Sequence, residues 1–118
     1  MNMAIYDELP VYKASYDMLL TIFQFTANFS REYKFTLGEK LKNETIELII
    51  LVYRANSSKS KTEIIQQSRE QIEIIRLLIR LLKDLNQVSL KSFVRINLQI
   101  ENVSKQLYCE RDKIVQYE

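Results

Sequence analysis

Histidine is missing from these 118 residues, and glycine, proline and cysteine occur once each. Without histidine there is no Ser-His-Asp or Cys-His nucleophile. The Glu-x-x-His motif of di-iron bundles and the usual zinc sites fall away with it. One glycine cannot build a phosphate-cradling loop or a dinucleotide fingerprint. Sheets and tight turns also need residues that supply positive φ or a fixed kink. Their scarcity points to a few long helices joined by short polar connectors. A single cysteine, Cys109, has no partner for an internal disulfide, so nothing marks an oxidising compartment.

No stretch approaches the roughly 20 apolar residues that span a bilayer. The start, MNMAIYDELP, has no basic region followed by an apolar run. We therefore expect no secretory signal, no membrane partner and a cytoplasmic location. The net charge of +2 is too small to point to nucleic acid, although a charged stripe matters more than a sum. Carboxylates three apart, such as Glu44 with Glu47 or Glu70 with Glu73, share a helix face. With no cleft in the pattern, they are expected to be solvated or ion-paired. Cys109 is expected to be a small filler or an exposed bystander. No enzyme, cofactor, metal site or small-molecule substrate is expected.

What remains is helical periodicity. Residues 1–118 read as one domain with helices over about 10–28, 31–55, 61–86 and 89–110, the last with room to run to about 115. Pro10 suits a first helical position, because its missing N–H costs nothing there. Tyr12, Tyr16, Leu19, Leu20 and Phe23 then repeat at helical spacing on one face. Ser30 can cap the second helix. Thr36 with Glu39 forms a rival capping box that would start it near Leu37. The earlier start is preferred, since Tyr33, Leu37 and Leu41 keep helical spacing. It leaves Gly38 inside the helix, where close packing would be a reason to tolerate it. The run NSSKSK, Asn56 to Lys61, reads as a connector, and Ser89 can cap the fourth helix. Phe93, Ile96, Ile100, Val103 and Leu107 step by three and four, the seam of a bundle. The fold class is all-α, an antiparallel up-down-up-down four-helix bundle.

The stretch IEIIRLLIRLLKDL, Ile72 to Leu85, carries more apolar surface than one core needs. On a wheel of roughly 100° per residue its aliphatics cover roughly 220°, against an apolar stripe of about 100° to 140° for a simple bundle helix. IELIILVY, Ile46 to Tyr53, repeats the excess. Leu48, Leu51 and Val52 can face the core, while Ile46, Ile50 and Tyr53 point elsewhere. Monomers rarely leave such a patch in water. We expect a homo-oligomer whose interface uses Ile46, Ile50, Tyr53, Ile74, Leu77 and Leu81. The alternative is that a tail or the first helix covers the excess within one subunit.

Arg69, Arg76, Arg80 and Lys83 share the remaining strip of the third helix, with Glu73 and Asp84 beside them. One reading is a solvated face with internal or intersubunit salt bridges. The other is a nucleic-acid backbone track, completed by Arg54, Lys59 and Lys61 near the adjoining helix ends. Arginine forks suit phosphate oxygens, and repetition around a ring would multiply weak contacts. Tyr33 and Tyr53 could stack on bases, although packing is the plainer role.

LPVYKASYDMLL (9–20), FSREYKFTLGEKL (29–41), VYRANSS (52–58), REQIEIIRLLIRLLKDL (69–85) and VSKQL (103–107) together resemble a family of small four-helix-bundle proteins. It includes the proteins encoded in 23S rRNA intervening sequences and the accessory variability determinant, Avd, of diversity-generating retroelements. The order and spacing of these motifs carry the resemblance, and Arg76-x-x-x-Arg80-Leu81 is its strongest element. The resemblance implies a bundle that assembles into a pentameric barrel with no enzymatic activity of its own. For the retroelement branch it implies a reverse transcriptase partner and binding of template RNA or DNA by a basic surface. The alternative reading is a homo-oligomeric interaction scaffold of the intervening-sequence type, without nucleic-acid binding. Arg76 and Arg80 match the family's basic positions, whereas Arg54 and Lys83 come from the wheel alone. This chain departs from the Avd pattern in being only slightly basic, in having no tryptophan, and in ending with YCERDKIVQYE.

Overall fold

Pro10 opens the first helix, and four long helices follow the periodicity of the apolar residues. The computed structural model describes residues 10–57 and 61–117, with side chains for 10–55 and 61–109. In chain order they are α1 (Pro10–Thr26), the single turn α2 (Arg31–Lys34), α3 (Leu37–Ser57), α4 (Lys61–Asp84) and α5 (Leu90–Tyr117). No strand occurs among the described residues. α1 packs on α3 and α5, and α4 packs on the same two from the opposite corner. Neighbours in sequence are thus neighbours in space, as short connectors dictate. The Ser30 backbone N–H donates to Gln87 Oε1 at 2.8 Å. That bond ties the connector before α3 to the connector before α5, so both lie at one end of the bundle.

The core is a column of aliphatic side chains from all four long helices. Met18, Ile22, Leu41, Leu48, Ile75, Ile79, Ile96 and Ile100 have essentially no exposed surface. The seam expected on the last helix is the one buried: Ile96, Ile100, Val103 and Leu107 face inward, with Phe93 packed at its edge. On α3, Leu48, Leu51 and Val52 are buried, as their spacing requires.

Two local expectations are corrected. The second long helix begins at Leu37, not Arg31: the chain makes one turn over Arg31–Lys34 and then re-enters helix. Phe35, with φ −97° and ψ 3°, ends that turn. Thr36 Oγ1 turns back to donate to Glu32 O at 2.8 Å, and neither Ser30 nor Thr36 supplies the expected cap. Ser30 makes no side-chain cap bond. The offset buries Phe29 beneath the start of α3. A Cβ on Gly38 would sit 3.1 Å from Tyr33 O and 3.3 Å from the Phe29 ring. Gly38 therefore serves a close approach, though at the helix entrance and not in its interior. The rival pattern of Thr36 with Glu39 gave the start that is observed, near Leu37; the helical register of Tyr33, Leu37 and Leu41 had favoured the earlier one.

The second correction concerns α1. Of the face named there, Tyr12 is buried and Leu19 half-buried, but Tyr16, Leu20 and Phe23 are exposed. The buried face is Val11, Ala14, Ser15, Met18 and Ile22. Ser15 fits there because its hydroxyl donates to Val11 O at 2.7 Å, which satisfies the buried polar group locally.

The remaining boundaries have identifiable caps. Ser89 Oγ accepts the Ser92 N–H at 3.1 Å, the N-cap that the sequence suggests. α4 ends in a left-handed residue, Asn86, at φ 60°. The Gln87 N–H reaches Leu82 O and the Asn86 N–H reaches Lys83 O, both at 2.9 Å. That is the paired-bond pattern in which glycine is the commonest left-handed residue. Asn86 is exposed, so changing it removes no packing. We expect Asn86→Gly to raise stability by about 0.5 kcal/mol and Asn86→Val to lower it by about 1 kcal/mol, through the backbone alone. Urea denaturation midpoints check both.

Candidate nucleic-acid interface

α4 turns its charged strip toward α5. Three contacts between the two helices fix the register. The Arg69 guanidinium lies 3.9 Å from the Tyr108 ring centroid and donates to its hydroxyl. Arg76 donates to Glu101. Lys83 Nζ lies 4.9 Å from the Phe93 ring centroid. Each step down α4 meets a step up α5, as an antiparallel pair must. Arg69, Arg76, Arg80 and Lys83 are therefore brought together along one seam, spread over about four turns of helix.

A shallow cleft of about 490 Å³ opens along this seam, lined by Glu73, Arg76, Leu77, Arg80, Phe93 and Asn97, with Glu101 at its edge. Its charges are largely balanced from within. Arg76 Nε lies 3.3 Å from Glu73, and its Nη1 meets Glu101. Arg80 Nε lies 3.4 Å from Asp84. Burial works against the Arg76 charge, but the hydrogen bond Arg76 donates to Glu101 and the charges of Glu73 and Glu101 outweigh it, so its pKa lies above the usual arginine value. Arg76 stays charged, one-third exposed, and held by carboxylates on two helices. Arg80 is twice as open, with its side chain 66% exposed.

The other proposed track residues lie apart. Arg54 is exposed on α3, which packs against α1 and α4 and sits diagonally across from α5. It cannot continue the α4–α5 seam on the same subunit. Lys61 is exposed at the first position of α4, and Lys59 lies outside the described residues. Of the tyrosines suggested for base stacking, Tyr33 on α2 and Tyr53 on α3 are both half-buried, and neither belongs to the two helices of the seam. Cys109 is exposed.

Of the carboxylates singled out earlier, Glu47 and Glu70 are exposed, Glu73 pairs with Arg76, and Glu44 is held from two sides. Lys40 Nζ lies 2.8 Å from Glu44, while the Gln71 side-chain amide donates to both the Glu44 carboxylate and its backbone oxygen. The Lys40 and Gln71 bonds hold the Glu44 carboxyl below its ordinary pKa against the opposing effect of burial. This links α3 to α4. Among the described residues no cluster could hold a metal ion.

Exposed apolar side chains lie in three stretches, on α1 with α3, on α4 and on α5. Ile46 and Ile50 are over one-third exposed on α3, and Tyr16, Leu20 and Phe23 more so on α1. Lys42 over the Phe23 ring at 5.3 Å sets these antiparallel helices level. At equal rise, that register puts Ile46 near Leu20 and Ile50 near Tyr16 on one broad face. The second area is outward on α4, with Ile74, Leu81 and the 67% exposed Leu77. Leu90, Val94 and Leu98 are likewise exposed at four-residue steps on α5. α1 adds to the apolar surface; it does not cover it. Among the described residues no helix is long and apolar enough to cross a membrane.

Reading one helix at a time missed Glu101, Phe93, Asn97 and Tyr108 as partners of the strip. Their signal is the seam itself. Once Phe93 to Leu107 are turned inward, the residues beside them must border a neighbouring helix, but only packing says which.

Comparison with curated protein sequences returns no match. Comparison with protein-family profiles matches residues 10–112 to a family described as bAvd-like. The match spans all four long helices, including the α4–α5 seam. On that extent of agreement, together with the all-α architecture, the chain belongs to the bAvd-like family.

Proposed function

We propose that this protein is a non-enzymatic accessory protein of a diversity-generating retroelement. In this reading it works in the cytoplasm as a homo-oligomeric ring, a pentamer by the family resemblance. The ring binds a reverse transcriptase and the nucleic acid that the transcriptase copies. The family match over residues 10–112 carries the reading. Four cations aligned on one helix seam support its nucleic-acid half, and the exposed apolar faces support assembly. Five copies of a weak, partly neutralised track gain by multivalency what each lacks.

A second reading keeps the ring and drops the nucleic acid: a protein interaction scaffold. It is favoured by the internal pairing of Arg76 and Arg80 with Glu73, Glu101 and Asp84. Retention of a single-stranded RNA oligonucleotide, measured from 50 mM to 300 mM salt, separates the two. The accessory reading expects binding at low salt that falls steeply as salt rises. An intact ring that retains no RNA even at 50 mM leaves the scaffold standing. Copurification with a reverse transcriptase encoded nearby tests the partner.

A further inference from the structure

Resting on the proposal that the α4–α5 seam binds polyanions, we infer that Glu101 is a built-in competitor for Arg76, which sets how strong a polyanion must be to engage the track. Glu101 comes from a different helix than the arginine, and its carboxylate occupies one edge of the guanidinium fork. Glu73, on α4 itself, holds the Nε edge at 3.3 Å. A phosphate that approaches Arg76 meets a site already filled by carboxylate oxygens. To bind there it must displace Glu101 and then lie beside it. Displacement is feasible, since the Glu101 side chain is 64% exposed and can swing to solvent without opening the core.

The arrangement discriminates by valency. An isolated anion gains too little from one arginine to exchange it for a carboxylate already in place. A polyanion that touches Arg80 and Lys83 at the same time gains enough to complete the exchange. The carboxylate at Glu101 therefore excludes free phosphate and short anionic tails while admitting a continuous nucleic-acid backbone.

The test is Glu101→Gln, which keeps the shape and a hydrogen-bonding group but removes the charge. Its companion is Glu39→Gln on α3, where Glu39 pairs with Lys42 at 2.7 Å. Both variants change net charge equally, but only one touches the seam. With a 20-nucleotide single-stranded RNA, Glu101→Gln should bind about fivefold tighter, the size of one like-charge contact relieved near 4 Å in water. Its salt slope should steepen by about 0.7, one more phosphate neutralised. In an Arg76→Gln background the gain should shrink. Glu39→Gln should match the unaltered protein.

Equal tightening by both variants would reduce the effect to net charge and overturn the inference. So would unchanged binding in Glu101→Gln when Arg76→Gln weakens binding, though the polyanion reading would then survive. If neither the unaltered protein nor Glu101→Gln binds RNA at 50 mM salt, the reading and the inference fall together. Thermal melting of Glu101→Gln serves as the fold control, and a small shift is expected for an exposed pair.

Discussion

Arg76→Glu combined with Arg80→Glu is expected to weaken RNA binding on the order of a hundredfold or more at low salt. Two attractive charges become two repulsive ones on the same seam, and each reversal carries about 2 kcal/mol near 4 Å in water, repeated in every subunit of a ring. The structure adds a complication that a single-helix view misses. A glutamate at position 76 would stand among Glu73 and Glu101, and one at position 80 would face Asp84 one turn on. Like charges at this spacing destabilise the helix by a few tenths of a kcal/mol, so a lower melting temperature is part of the expectation. Arg76→Gln with Arg80→Gln avoids that crowding and should still lose most of the binding. Helix content by circular dichroism should be unchanged in both pairs. A folded, intact double-glutamate protein that still retains RNA would place the nucleic-acid surface elsewhere. If the assembly dissolves into folded subunits, the arginines pair across a subunit boundary.

Ile46→Asp combined with Ile50→Asp is expected to reduce the assembly to 14.1 kDa subunits in light scattering, with helix content preserved. Both side chains are over one-third exposed, so an aspartate in a lone subunit reaches water at little cost. Buried between subunits, the same carboxylate loses its hydration with no partner, a penalty of several kcal/mol per ion that the contact cannot absorb. Leu20→Asp on α1 should act likewise, because the α1–α3 register brings it to the same face. Leu77→Asp probes the apolar area on α4. A double variant at Ile46 and Ile50 that keeps its mass, alongside a Leu77 variant that loses it, would move the interface to α4. A protein that is a single subunit before any substitution, even at high concentration, removes the ring from the proposal.

Both experiments depend on which faces the bundle leaves open, and the two halves of that question have different origins. The sequence by itself determined the class and the order of the helices. Apolar residues stepping by three and four from Phe93 to Leu107 leave no other way to bury them. Scarce glycine and proline exclude the competing turns, and Ser89 marks one helix start through local chemistry. The motif order likewise pointed to the family before any packing was known. It also identified Ile46, Ile50, Leu77 and Leu81 as residues the core does not need, because an excess of apolar arc shows within one helix.

Tertiary structure alone decided the rest. Which of two apolar stripes on α1 is buried depends on the neighbouring helices; Met18 and Ile22 won over Tyr16 and Leu20. The sequence offered two starts for the second long helix, near Arg31 and near Leu37, and packing took the later one, with Phe29 seated against Gly38. The charged strip was legible on α4, but its neutralisation by Glu101 was not, since that carboxylate lies 25 residues away on another helix. Arg54 was separated from the strip for the same reason. Periodicity records the direction a side chain takes from its own helix axis; what it meets there is set by how the helices pack.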